Sequence, residues 1–235
     1  VRKVQAYYAA KACNDLSLLR VKAYQQVTRS GIMKSIPDPS MVDMIWKFPL
    51  SWPIAPPKTI SERDQSDYKK ANKASTFKHQ FSAQITSESG KIDINDLGSP
   101  SKALREKTKQ QFLDLFTQLL QEETEWASKY STFNFNELLN HISDWVDSDT
   151  TSQNGGNENG YYTDFQNEFL PPNQSFKTLQ ELHMVKGMED DIFNVLAPVI
   201  TLFGGKGINV NYADKETLMA IDPAITDEVA QEIIK

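Results

Sequence analysis

Cysteine is nearly absent from this sequence. Cys13 stands alone among 235 residues, so no intrachain disulfide can form, and neither a CxxC motif nor the Cys/His spacing of a zinc site exists. Long apolar runs are also missing: nothing approaches the roughly 18 consecutive apolar residues that mark a membrane span. Positive charge is in deficit, with 25 Lys and Arg against 31 Asp and Glu, a net charge of −6 and a pI near 5.2. Such a field repels nucleic acid and anionic membrane surfaces and tolerates divalent cations. His79, His141 and His183 lie far apart and share no ligand spacing. His141 falls on a helix one turn before Asp144, where a local hydrogen bond explains it. No serine sits in a GxSxG setting. Gly204, Gly205 and Gly207 follow neither GxxxxGK[ST] nor GxGxxG, so they read as a turn. Val1 opens in amphipathic sequence with neither an initiator Met nor a signal peptide, which reads as a piece of a longer protein.

What is present suits a globular chain: 39% hydrophobic and 24% charged residues, enough for one large domain or two small ones. Over Val1 to Ser30, apolar residues recur at Val4, Tyr8, Ala12, Leu16, Leu19, Ala23 and Val27. These steps of three and four predict a helix of about 45 Å, with Gly31 as its stop. Six prolines then fall between Pro37 and Pro57, interleaved with Trp46, Phe48 and Trp52. That composition predicts an extended loop pinned to a surface by its aromatics. From Phe77 to Leu97, alternation at Phe81, Ala83 and Ile85 and again at Ile92 and Ile94, around the turn residues Ser87 to Gly90, predicts a β-hairpin.

From Ser99 onward the pattern is helical. Ser99-Pro100 supplies an N-cap and a proline at the first helical position, followed by Leu104, Phe112, Leu115, Phe116, Leu119 and Leu120. A second helix is predicted from Asn136 through Leu138, Leu139, Ile142, Trp145 and Val146. Shorter helices are predicted at Thr178 to Val185, Asp190 to Leu196, Asp214 to Ala220 and Thr226 to Ile234, with a strand-like run at Val199 to Phe203. This gives an α+β chain with a part at 1–98 and a helical part at 99–235.

The stretch Asp144 to Tyr162, DWVDSDTTSQNGGNENGYY, runs from the end of that second helix into a loop dense with oxygen ligands. Asp144, Asp147 and Asp149 come within six residues, and Glu158 and Asn159 follow a turn at Gly155 and Gly156. Carboxylates crowded this closely need water or a cation. Ca2+ takes six to eight such oxygens, and the alternative is a solvated acidic loop capping the helix. Counted from Asp144, the sixth position is Asp149 where an EF-hand needs glycine, so a metal here is not held by an EF-hand. A glycosidase pair is excluded as well, because that chemistry needs carboxyls facing one another across a cleft, not two residues apart on one loop.

The last segment, INVNYADKETLMAIDPAITDEVAQEII, reads as a helical hairpin of the helix-hairpin-helix kind. Its turn, Asp222-Pro223-Ala224-Ile225, lacks the glycines that let backbone N–H groups approach a phosphate. Asp214, Glu216, Asp222, Asp227 and Glu228 outnumber Lys215. A helical binding module contacting nucleic acid is therefore the secondary reading.

Several pieces, in order, resemble the K-type minor pseudopilins of type II secretion systems: YYAAKACNDLSLLRVKAYQ, GKIDINDL, LLNHISDWVDSD with GGNENGYY, TLQELHMVKGM and INVNYADKETLMAI. The resemblance covers most of the chain, and its DWxDxD and INxN elements are the more specific ones. It implies a pilin-like domain, in which a long N-terminal helix packs on a small antiparallel sheet, with a large helical domain inserted between strands. It also implies a structural, non-enzymatic subunit at the pseudopilus tip. This subunit would assemble with I- and J-type minor pseudopilins to initiate or cap the fibre and support protein export, with no nucleic acid or small-molecule substrate. In the family a hydrophobic segment ahead of the long helix anchors the subunit in the inner membrane and leaves the rest in the periplasm, so Val1 is expected to fall in mid-helix. The family's sheet is completed by strands after the inserted domain, whereas this sequence stops at Lys235, so those strands are removed or absent here. Some members bind calcium in the helical domain, which implies a structural Ca2+ on Asp144, Asp147, Asp149, Glu158 and Asn159. Where the family tends to carry an acidic pair, this chain has Asn157-Glu158-Asn159, with less charge. The implied partner interface is the outer row of the first helix: Val4, Tyr8, Leu16, Leu19 and Val27.

Overall fold

A computed structural model describes residues 2–31, 35–36, 38, 40–53, 61–75, 80–122, 124–156, 158, 162, 170–222 and 224–234. The chain divides into two units, 1–86 and 87–235, and each is described by itself.

The first unit is built on α1 (Arg2–Arg29). Gly31 ends it with φ 75, the left-handed conformation that glycine adopts without steric cost after a helix. The proline-rich stretch is not wholly extended, because Ser40–Lys47 forms a helix, α2. Its sequence, SMVDMIWK, buries Val42 and closes one turn with an Asp43–Lys47 ion pair at 2.9 Å. Arg20 of α1 reaches the end of α2, donating to the carbonyls of Ile45 at 2.7 Å, Trp46 at 3.2 Å and Phe48. Those carbonyls lack partners within α2, and a guanidinium beside a helix C-terminus satisfies them while complementing the dipole. Tyr24 meets Trp46 edge-on, with centroids 6.2 Å apart. A further helix, α3 (Glu62–Ala74), starts at an N-cap where Ser61 accepts from Asp64 N at 3.2 Å. The sequence pattern offered no apolar periodicity there.

The expected hairpin does not form. Strand β2 (Phe81–Ala83) pairs antiparallel with β1 (Leu50–Trp52), Leu50 opposite Ala83 and Trp52 opposite Phe81. Ile92–Asp93 is β3, which pairs parallel with β4 (Ile200–Thr201) in the second unit. Residues 77–79, at the start of the predicted hairpin, lie outside the described residues. The reason is burial: Ile92, Ile94 and Leu97 sink into the second unit's core, and an alternating pattern says which face is apolar without saying which strand it meets. For the same reason the boundary falls at 86/87 and not at 98.

The second unit holds the core. A 3-10 turn, Ile94–Gly98, leads to α4 (Lys102–Gln121), α5 (Glu125–Tyr130) and α6 (Phe135–Val146). The N-cap of α4 is Ser101, two residues later than predicted. α5 was not legible in advance, being six residues long. Leu138, Leu139, Ile142 and Trp145 of α6 are buried in one core with Phe112, Leu115 and Phe116 of α4. Each such aliphatic or aromatic side chain contributes about 1.5–3 kcal/mol on burial. Phe116 stacks on Phe135 with centroids 4.1 Å apart, and Trp126 stacks over both. Gly98 permits a close approach, since a Cβ there would lie 2.5 Å from Val146 Cγ1.

Beyond the acidic loop come a second 3-10 turn (Leu179–Met184), α7 (Asp190–Leu196), β4, α8 (Lys215–Ile221) and α9 (Asp227–Ile234). The last two make the predicted helical hairpin. Asp214 caps α8 by accepting from Thr217 N at 2.8 Å, Lys215 pairs with Asp227 at 2.6 Å, and Gln118 of α4 donates to Met219 O at 3.0 Å. Pro223 of its turn lies outside the described residues. Gly204 follows β4 in the predicted turn, its N–H donating to Asp93 at 3.1 Å. Both sheets among the described residues are two-stranded, so the α+β expectation holds in its coarse form. Among the described residues, no helix is long and apolar enough to cross a membrane.

Candidate metal centre

The acidic loop begins where α6 ends. Asp147 is the C-cap, its N–H donating to Ser143 O at 2.9 Å, and the chain then turns as Asp149 accepts from Thr151 N at 2.8 Å. Glu158 returns to the same place. One carboxylate oxygen from each of Asp147, Asp149 and Glu158 lies within 4.8 Å of the others. Glu158 is 6% exposed. Its Oε2 accepts from Asn173 Nδ2 at 3.3 Å, while Oε1 and Asp147 Oδ1 are buried without a hydrogen-bond partner.

Asp144 is not part of this trio. It is buried on α6, where Oδ2 accepts from Ser152 Oγ at 2.7 Å and Oδ1 from Gln153 N at 3.0 Å, tying the loop back onto the helix that launches it. Gln153 Nε2 adds a bond to Ser143 Oγ at 2.5 Å. The Asn154 amide donates to Glu137 O at 3.0 Å, accepts from Asn140 at 2.7 Å and lies beside the His141 ring. His141 is thus locally engaged, with its pKa pushed down by burial and by the Lys186 charge. Asn159 lies outside the described residues.

The electrostatics follow from crowding. Burial pushes the Asp147 carboxyl up, and the charges of Asp149 and Asp144 push the same way. Glu158 is pushed up to about 7, by burial first and then by Asp144 and Asp147. Carboxylates so placed either hold a proton or take a cation. The donor set is all hard oxygen, which suits Ca2+ and not a thiophilic metal. Two orphaned buried oxygens in a trio of converging carboxylates fit such an ion.

Asn173 was missed. It is a half-buried asparagine with φ 49, and its side-chain amide donates both to Glu158 and to the carbonyl of Asp149. The only sequence signal for it is its position directly after Pro171-Pro172.

The predicted interface row lies on the outer side of α1. Val4, Tyr8, Leu16 and Leu19 are 58%, 59%, 40% and 61% exposed, and Val27 is half-buried. The face that packs inward carries smaller and polar residues, with Ala9 buried and Cys13, Ser17 and Arg20 half-buried.

No curated protein matches the sequence. Among solved structures the chain is similar to one in the GspK-GspI-GspJ complex of the type 2 secretion system of enterotoxigenic Escherichia coli. The two are 21% identical, with a TM-score of 0.52, covering 65% of this chain and 53% of that one. The match thus spans about half the length of that chain, and it shows the fold. Residues 90–205, from Gly90 through the acidic loop to just past β4, match the family model for type II secretion system protein K. By that match, residues 90–205 of the chain are a type II secretion system protein K region, that of the minor pseudopilins of type K.

Proposed function

We propose that this chain is the tip subunit of a type II secretion pseudopilus. It works on the periplasmic side of the inner membrane, joining I- and J-type minor pseudopilins to initiate or cap the fibre that supports protein export. The solved relative is named for a complex of this composition. The observation that carries the reading is the row Val4, Tyr8, Leu16 and Leu19, left in solvent on a 28-residue helix. Large apolar side chains held out along one helix stripe form the face that an amphipathic partner helix covers. The role is structural, and no catalytic step is assigned to it. Mixing the chain with cognate I- and J-type subunits on a sizing column tests it. Co-migration is expected, and separate elution of three folded proteins refutes it.

Calcium is the second half of the reading. Asp147, Asp149 and Glu158 would hold the ion, which supplies positive charge to carboxylates that the fold leaves uncompensated. Bound there, it ties the end of α6 to the returning strand of the loop. Thermal melts with and without chelator test this half. A higher midpoint at millimolar calcium is expected, and identical midpoints refute it.

A further inference from the structure

We infer that Asn173 is a positioning residue for the cation of the acidic cluster, fixing where Glu158 presents its free oxygen. This rests on the calcium reading above. The Asn173 side chain faces two acceptors, the Asp149 carbonyl and Glu158 Oε2. The Asp149 carbonyl cannot donate, so the group turned toward it is the NH2, whose second hydrogen serves Glu158 Oε2. Its bond to Oε2 leaves Glu158 Oε1 as the orphaned oxygen, in the same carboxylate trio as Asp147, whose Oδ1 is orphaned too. One amide therefore sets the direction of the carboxylate and pins the backbone of another member of the trio.

The amide is itself held from a fixed point. Three residues on, Phe176 stacks on Trp145 with rings 5° from parallel. Its backbone is pinned as well: Phe176 N donates to Asn95 Oδ1 at 2.7 Å, and Phe176 O accepts from Asn95 Nδ2 at 3.5 Å. Trp145 precedes Asp147 by two residues at the end of α6. Both sides of the cluster are thus registered on the same indole, one through α6 and the other through Phe176. The left-handed backbone at Asn173 aims its short side chain inward, and asparagine tolerates that conformation better than most residues. Groups that orient ligands in this way typically change cation affinity about 10- to 100-fold when removed.

Asn173→Gly separates the amide from the backbone, because glycine keeps the positive φ and loses only the donor. The full chain is titrated with calcium by calorimetry and with terbium by luminescence. Lifetimes in H2O and D2O then count the waters on the bound terbium. The expected result is an affinity about tenfold weaker for Asn173→Gly, with an additional water on the ion where Glu158 no longer holds its place. A residue that merely supports the fold would lower the melting point in chelator and leave the water count alone. In a Glu158→Gln background, Asn173→Gly is expected to weaken binding by much less than in the wild type. Wild-type affinity and hydration in Asn173→Gly overturn the inference alone, whereas a wild-type chain that binds neither ion overturns the calcium reading and this inference with it.

Discussion

The two units solve the problem of a stable surface in opposite ways. In the first, Ala9 and Val42 are the buried hydrophobic residues among those described, while the long helix leaves Val4, Tyr7, Tyr8, Leu18 and Leu19 in solvent. In the second, aromatic and aliphatic side chains from α4, α5 and α6 meet in one continuous core. A unit that buries little of its own apolar surface draws on polar ties, such as Arg20 across the end of α2, and leaves large side chains exposed along its long helix. A unit with a full core can carry a charged site, because the cost of crowding three carboxylates is spread over many packed neighbours.

That contrast is broken most directly by Gly90→Val. A Cβ at this position would lie 2.1 Å from the carbonyl oxygen of Tyr212, a backbone collision that no rotamer relieves. A loss of about 4 kcal/mol or more is expected, seen as a lowered urea midpoint of the second unit. Leu139→Ala, at a fully buried position of α6, should cost about 3 kcal/mol through lost burial and the cavity left behind.

A pH series sharpens the comparison by isolating the charged site. Glu158 titrates near 4.5 when unfolded and is pushed up to about 7 when folded. Between those values the folded cation-free chain binds more protons than the unfolded one. Stability in chelator should therefore be highest below pH 4.5 and fall as pH rises toward 7, by on the order of 1–3 kcal/mol. Asp147, also pushed up, acts in the same direction. Millimolar calcium should remove the fall, and Glu158→Gln should flatten it without calcium; melts at several pH values read both.

Smaller effects belong to the first unit. Arg20→Ala should cost about 1–2 kcal/mol by freeing the last carbonyls of α2. Hydrogen exchange should show Ser40–Lys47 opening sooner, with α4 to α6 unchanged. Lys70→Ala, which breaks an exposed pair with Asp67 at 3.3 Å, should stay within about 0.5 kcal/mol.

Periodicity was a good guide where one helix face met one core. The residues of α6 and α7 lie within a position or two of their predicted places, and α1 ends at the predicted glycine. It failed where the partner was distant in sequence. Phe81 and Ile92 read as two arms of a hairpin, yet their strands pair with Trp52 and Ile200, because local alternation carries no record of long-range pairing. Of the proposed metal ligands, Asp147, Asp149 and Glu158 converge, and loop composition was enough to find them. Asp144 looked equivalent by spacing but sits a turn earlier, on a helix face that aims it at Ser152 and Gln153. Asn173 was illegible because its role depends on a backbone conformation and two acceptors far from it along the chain.

The short parallel pair of β3 and β4 sets the order in which the second unit can fold. Ile92 and Ile200 are more than a hundred residues apart, and only two residues on each side pair. Closing so large a loop costs entropy that two rungs of ladder cannot offset. The helices between them must therefore collapse first and bring the strands within reach. The rate of folding should then follow the assembly of α4 with α6, while the strand pair, forming last, governs mainly how fast the unit comes apart.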